Sequence, residues 1–234
     1  KPISLTICEA NYNLTVEKDV PSAITQLKSA MLHTDGYKYA HQILQLYLVL
    51  SKDFKSADKF LDKIDEKIES EKRHLLRSNI YESEENYEDA ISELTKSRES
   101  GLAFNMYITR LTYLYLKQEK YAKTVLVINE NIKKLKKQSD IDILIINREL
   151  ANKKISGKLE DKVQIRNIIS RKLTDNLVLA AECLLENDVN IKRLLKAEID
   201  KDYSSLYYLR CWPVIPQEYF LEYDKKNEKA TLVA

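Results

Sequence analysis

Asp53-Phe54-Lys55-Ser56-Ala57 and Asn86-Tyr87-Glu88-Asp89-Ala90 share one construction: a short polar residue able to cap a helix, then a ring, then a small residue three positions on. Asp19-Val20-Pro21-Ser22-Ala23 keeps the cap and the small residue with a branched residue in place of the ring, and Lys120-Tyr121-Ala122-Lys123-Thr124 keeps the ring and the small residue. The second residues of these four stretches stand 34, 33 and 34 positions apart (20 to 54, 54 to 87, 87 to 121). Seven residues beyond each lies an apolar residue: Leu27, Leu61, Leu94 and Ile128. A fixed period in this range marks stacked supersecondary units, because one such unit cannot bury its apolar face alone.

Each position has a physical reason. Asp19, Asp53 and Asn86 carry short side-chain oxygens that can accept from the free amides of a first helical turn, and Pro21 suits the first helical position. The small residue lets two helices of a hairpin approach closely. On the preceding helices, Tyr81 and Tyr115 stand six residues before Tyr87 and Tyr121, where a ring can fill the gap between hairpins. Leu14 and Leu48 hold the matching places in the first two units.

Outward from the repeat, apolar residues recur at spacings of three and four along almost the whole chain, which predicts helices separated by short polar turns. Helices are expected near 3–15, 21–33, 37–51, 54–68, 71–84, 87–99, 102–118 and 121–137. Others are expected near 140–153, 159–172, 174–187, 189–199 and 202–210. Asp188-Val189 could open one more helix of the repeated kind. The chain has 234 residues, only three of them glycine and four proline, with 44% hydrophobic and 32% charged residues. So little glycine argues against phosphate-binding loops and β-hairpins. The net charge of +2 sets up no global field toward a polyanion.

These residues resemble the tetratricopeptide repeat family, whose 34-residue helical hairpins carry a ring near the turn, a small residue three later and an apolar residue four after that. The resemblance covers about residues 3–137. It implies an all-α fold, an α-solenoid of antiparallel hairpins in a superhelix, with four hairpins over 1–137. A divergent helical continuation over 138–210 and an aromatic capping segment with a loose tail over 211–234 would follow. The match is incomplete. Ser78 and Thr112 match the family's small residue in the first helix, whereas Asn11 and Gln45 do not. His41 and His74 replace its early tryptophan or leucine, and Lys52, Glu85 and Glu119 replace its glycine before the turn.

Motifs that carry chemistry are sparse. His33, His41 and His74 form no HxxxH pattern and read as structural or surface residues. Asp140 and Asp142 open a helix, where acids complement the positive end of the helix dipole without a metal. No GxxxxGK, GxGxxG or GxSxG occurs, and Cys8, Cys183 and Cys211 form no CxxC, so reduced, free thiols are expected. Lys133, Lys134, Lys136 and Lys137 make a basic run that reads as a solvated helix face or, alternatively, as a phosphate contact. Trp212, Tyr219 and Phe220 belong to an aromatic cluster near the C-terminus that must be buried against something.

A stack of hairpins presents a concave surface suited to recognition more than to chemistry. The family's pattern implies a partner groove lined by Tyr39, Gln42, Leu46, Lys72, Leu75, Asn79, Met106, Thr109, Arg110 and Tyr113. Of the places that the family uses to clamp a chaperone's carboxylates, only Arg110 fits, so another partner is implied. The expectation is a non-catalytic protein-interaction or sensing module, cytoplasmic, without cofactor, metal or membrane segment, and part of a larger protein. Two other readings remain: a nucleic-acid-binding helical repeat that uses the lysine-rich second half, and an enzyme resting on Glu182 and Cys183.

Overall fold

In the computed structural model, which describes residues 3–13, 17, 19–31, 36–50, 52–64, 68–201 and 209–221, every regular element is helical. The helices are α1 (Ile3–Tyr12), α2 (Val20–Met31), α3 (Gly36–Gln45), α4 (Phe54–Ile64), α5 (Ser70–Ser83) and α6 (Tyr87–Glu99). They continue as α7 (Phe104–Lys117), α8 (Tyr121–Asn131), α9 (Gln138–Ser156), α10 (Lys162–Arg171), α11 (Asp175–Leu184) and α12 (Asp188–Lys201). A π-helical turn, Leu46–Leu50, extends α3, and a 3-10 turn, Ile132–Lys134, extends α8. The helix expected over 121–137 therefore stops early. Leu135 is extended, and the chain re-enters a helix only at Gln138, so α9 begins earlier and ends later than the spacing predicts. The helix expected at 202–210 lies mostly outside the described residues.

The chain divides into two units, residues 1–107 and 108–234, with the division inside α7, earlier than the boundary at 137 drawn from the repeat. In the first unit α1 pairs with α2, α4 with α5 and α5 with α6, and α3 touches α2, α4 and α5. Its core gathers Ile24, Leu27, Ile43, Leu44, Phe60, Leu61 and Leu76. In the second unit α9 packs on α8, α10 and α11, and α11 on α10 and α12. Leu209, Val214, Ile215 and Phe220 join its core, with Trp212 and Tyr219 packed against it. Trp212 Nε1 donates to Asn147 Oδ1 at 3.0 Å, and Asn147 Nδ2 donates to Thr112 Oγ1 at 3.3 Å. Tyr219 donates its hydroxyl to Asp188, which pushes the phenol well above its ordinary range.

The repeated stretches occupy equivalent environments. Ala23, Ala57, Ala90 and Thr124 are fully buried, and so, within a few per cent, are Leu27, Leu61, Leu94 and Ile128. At Ala90 the approach is close enough for the Ser78 hydroxyl of α5 to donate to the Ala90 carbonyl of α6 at 2.7 Å. The turns explain why glycine is dispensable. Glu85 and Glu119 adopt φ of 60° and 57°, the left-handed conformation in which the last carbonyls of a helix find donors. The amide of Glu85 donates to Glu82, and that of Asn86 to Tyr81. Glu119 and Lys120 repeat the pattern on Leu116 and Tyr115.

Three assignments shift by one residue. The Asp19 amide donates to Asn13, six residues back, so Asn13 and not Leu14 holds the place of Tyr81 in the first hairpin. Asp53 donates its amide to Tyr47, six residues back, because the π-helical turn inserts one residue. Tyr47, not Leu48, is thus the counterpart of Tyr81. In the last hairpin Glu186 is left-handed, and the amide of Asn187 donates to Glu182. The capping position is therefore Asn187 and not Asp188, and Ile191 takes the place that a small residue holds elsewhere.

Candidate functional site

The ten groove residues fall in both units. In the first, Tyr39 is only 9% exposed and belongs to the core, Leu46 packs against that core, and Gln42 is exposed. Lys72, Leu75 and Asn79 are half-buried on α5, with Lys72 paired to Glu69, and Met106 is 50% exposed. In the second unit Thr109 and Arg110 are half-buried, while Tyr113 is buried with the Arg110 guanidinium 5.0 Å from its ring centre. Tyr39 and Tyr113 thus serve packing, and the surface a partner could touch in the first unit rests on Gln42, Leu46, Leu75 and Met106.

The other motif residues hold structural places. His74 Nδ1 lies 2.7 Å from Glu93 Oε2, and Lys96 donates to the other oxygen of the same buried carboxyl. Burial works to raise the Glu93 pKa, but the hydrogen bonds from Lys96 and His74 outweigh it and leave it below its ordinary value. The side chain of His41 and the whole of His33 lie outside the description. Cys8, Cys183 and Cys211 form no disulfide among the described residues. Burial, aided by Glu182, pushes the Cys183 thiol up to about 12, so it is a poor nucleophile near neutral pH. Among the described residues no group of three His, Cys, Asp or Glu side chains could hold a metal ion. Nor is any helix there long and apolar enough to cross a membrane.

A cleft that the sequence reading did not find lies in the second unit. Its cavity measures about 370 Å³ and opens to solvent. The 3-10 turn contributes Ile132, and α9 contributes Gln138, Ile141, Ile145 and Arg148. Gln164, Asn167 and Arg171 come from α10. On each helix these positions recur at intervals of three or four and so share one face.

Two buried carboxylates hold the arginines in place. Asp142, fully buried, accepts from Arg171 Nε at 3.3 Å and from Arg171 Nη2, and from Gln138 Nε2 at 2.8 Å. Glu149, 1% exposed, accepts the backbone amides of Glu160 and Asp161 at 2.9 and 3.0 Å, which fixes the loop that leads into α10. Arg148 Nε approaches Glu149 at 3.4 Å, and its Nη2 donates to Gln164 Oε1 at 3.2 Å. The Asp161 side chain caps α10 by accepting from the Gln164 amide. Asp142, expected to serve only the helix dipole, is instead the anchor of Arg171. Lys133, Lys134, Lys136 and Lys137, all exposed, occupy the connection between Ile132 and Gln138. No protein-family model matches this chain, and no curated protein matches it.

Proposed function

We propose that this chain is a non-catalytic recognition module, the sensing or regulatory part of a larger cytosolic protein, whose helical hairpins stack in the manner of tetratricopeptide repeats and bind a protein segment. One observation carries the reading: at the sequence period each second helix buries its small residue, at Ala23, Ala57, Ala90 and Thr124, whether the amide at its cap returns five residues or six. Such units spend their apolar faces on one another and leave the outer faces of alternate helices for a partner. In the first unit Gln42, Leu46, Leu75 and Met106 retain exposure for that purpose. An amphipathic helix with anchors at i, i+3, i+4 and i+7 is the partner segment whose geometry fits.

Selection of displayed helical peptides against the full chain tests the reading. Selected peptides should lose at least tenfold in affinity to Leu75→Asp and Met106→Asp, with the melting temperature kept. Peptides that bind both variants as well as the parent would refute it. The exposed lysines between Ile132 and Gln138 favour a second reading, a nucleic-acid-binding repeat. It requires affinity for single-stranded RNA or duplex DNA that falls steeply with salt, and a flat titration would exclude it.

A further inference from the structure

We infer that the cleft between α9 and α10 is a binding site for a carboxylate carried on an apolar body. The inference goes beyond the hairpin reading and does not depend on it. A guanidinium has five N–H donors. In Arg148 and in Arg171 the hydrogen bonds described above engage only Nε and Nη2. Among the described residues Nη1 of both arginines, the amide nitrogen of Gln164 and the Asn167 side chain have no partner. The residues that carry these donors line one cavity, and the forked geometry of guanidinium matches the two oxygens of a carboxylate.

The charge behind the arginines selects among anions. Asp142 and Glu149 are buried carboxylates on the inner edges of Arg171 and Arg148, so the pair is nearly neutralised before any ligand arrives. A dianion such as phosphate would meet those two carboxylates with little net positive charge to offset them, whereas a monoanion can be held by directed donors. Ile132, Ile141 and Ile145 supply an apolar wall beside the donors, which suits a hydrocarbon chain attached to the charged head. At about 370 Å³, the space equals roughly a dozen waters at about 30 Å³ each, enough for a small organic acid or for one acidic side chain with its neighbour.

Calorimetric titration of the full chain with hexanoate, hexanamide, inorganic phosphate and a doubly capped peptide carrying one glutamate beside leucine tests the site. Hexanoate should bind saturably, with hexanamide and phosphate at least tenfold weaker. Arg148→Lys, which keeps the charge and loses the fork, should weaken hexanoate about tenfold. Asn167→Glu, at an exposed position that leaves packing untouched, should abolish binding while the melting temperature is unchanged. A peptide that binds more tightly than hexanoate identifies a protein segment as the source of the carboxylate. The reverse order identifies a free small acid, and both orders support the site. Equal binding of hexanoate and hexanamide, phosphate tighter than hexanoate, or hexanoate affinity indifferent to Asn167→Glu would overturn the inference.

Discussion

The α3–α4 and α5–α6 hairpins reach the same packing through different turns. In the later hairpin α5 ends regularly, Glu85 takes the left-handed conformation, and the Asn86 amide returns five residues to Tyr81. In the earlier one α3 widens into a π-helical turn, Lys52 is left-handed at φ 48°, and the Asp53 amide returns six residues to Tyr47. Ala57 and Ala90 are nevertheless equally buried, as are Leu61 and Leu94. What is held constant is the distance from the cap to the buried positions of the second helix. The first helix absorbs the extra residue, because a widened turn costs less than a rotation that would turn Leu61 out of the core.

The strongest challenge to this equivalence is cavity formation. Leu61→Ala and Leu94→Ala should each destabilise by roughly 2 to 5 kcal/mol, in similar amounts despite the different turns, as read by denaturant unfolding. A large effect in one and none in the other would break the equivalence. Overpacking comes next. Ala57→Leu and Ala90→Leu should cost about 1 to 3 kcal/mol each, and Ala90→Leu should additionally disturb the Ser78 hydroxyl bond to the Ala90 carbonyl. Melting temperatures unchanged in both variants would show that neither alanine limits the approach of its helices.

A smaller, opposite effect is expected at the turns. Glu85→Gly and Glu119→Gly remove left-handed strain at exposed sites and should stabilise by roughly 0.5 to 1 kcal/mol. Lys52→Gly should do the same if its turn carries equal strain, so a lesser gain there would sharpen the distinction drawn by the π-helical turn. The smallest effect separates the caps. Hydrogen bonds from Ser22 and Ser56 lower the Asp19 and Asp53 pKa values, whereas the Asn86 side chain bonds to Asp89 and caps no backbone amide. A folded pKa below the unfolded value adds stability above the ordinary carboxylate range, and that stability is lost as pH falls through the folded value. Asp53→Asn should therefore flatten the acid limb of the melting profile slightly, while Asn86→Ser should leave its pH dependence alone.

The repeat was legible because its positions are local. A cap, a ring and a buried small residue lie within one turn of a helix, and the spacing of 34, 33 and 34 residues needs no tertiary information. The left-handed glutamates were not legible, since the sequence lacks the glycine that normally marks the conformation and only the hydrogen bonds of the turn impose it. The lysine run hid the end of α8 for a related reason: Ile132 and Leu135 continue the apolar spacing although Leu135 is extended. A sign of the cleft was present in Gln138, Ile141, Ile145 and Arg148, which share a helical face, and in Gln164, Asn167 and Arg171, which share another. Nothing in either stripe says that they face each other.

The sequence by itself determined the helical class, the hairpin period and the residues that each second helix buries, because 3.6-residue periodicity and turn chemistry act over a few neighbours. The tertiary structure decided that Tyr39 and Tyr113 would pack inward and that Trp212 would bond to Asn147 across 65 positions. It also decided that Asp142 would be buried as the partner of Arg171. Those outcomes depend on which helices meet, and a buried carboxylate is tolerated only where packing delivers a cation to it.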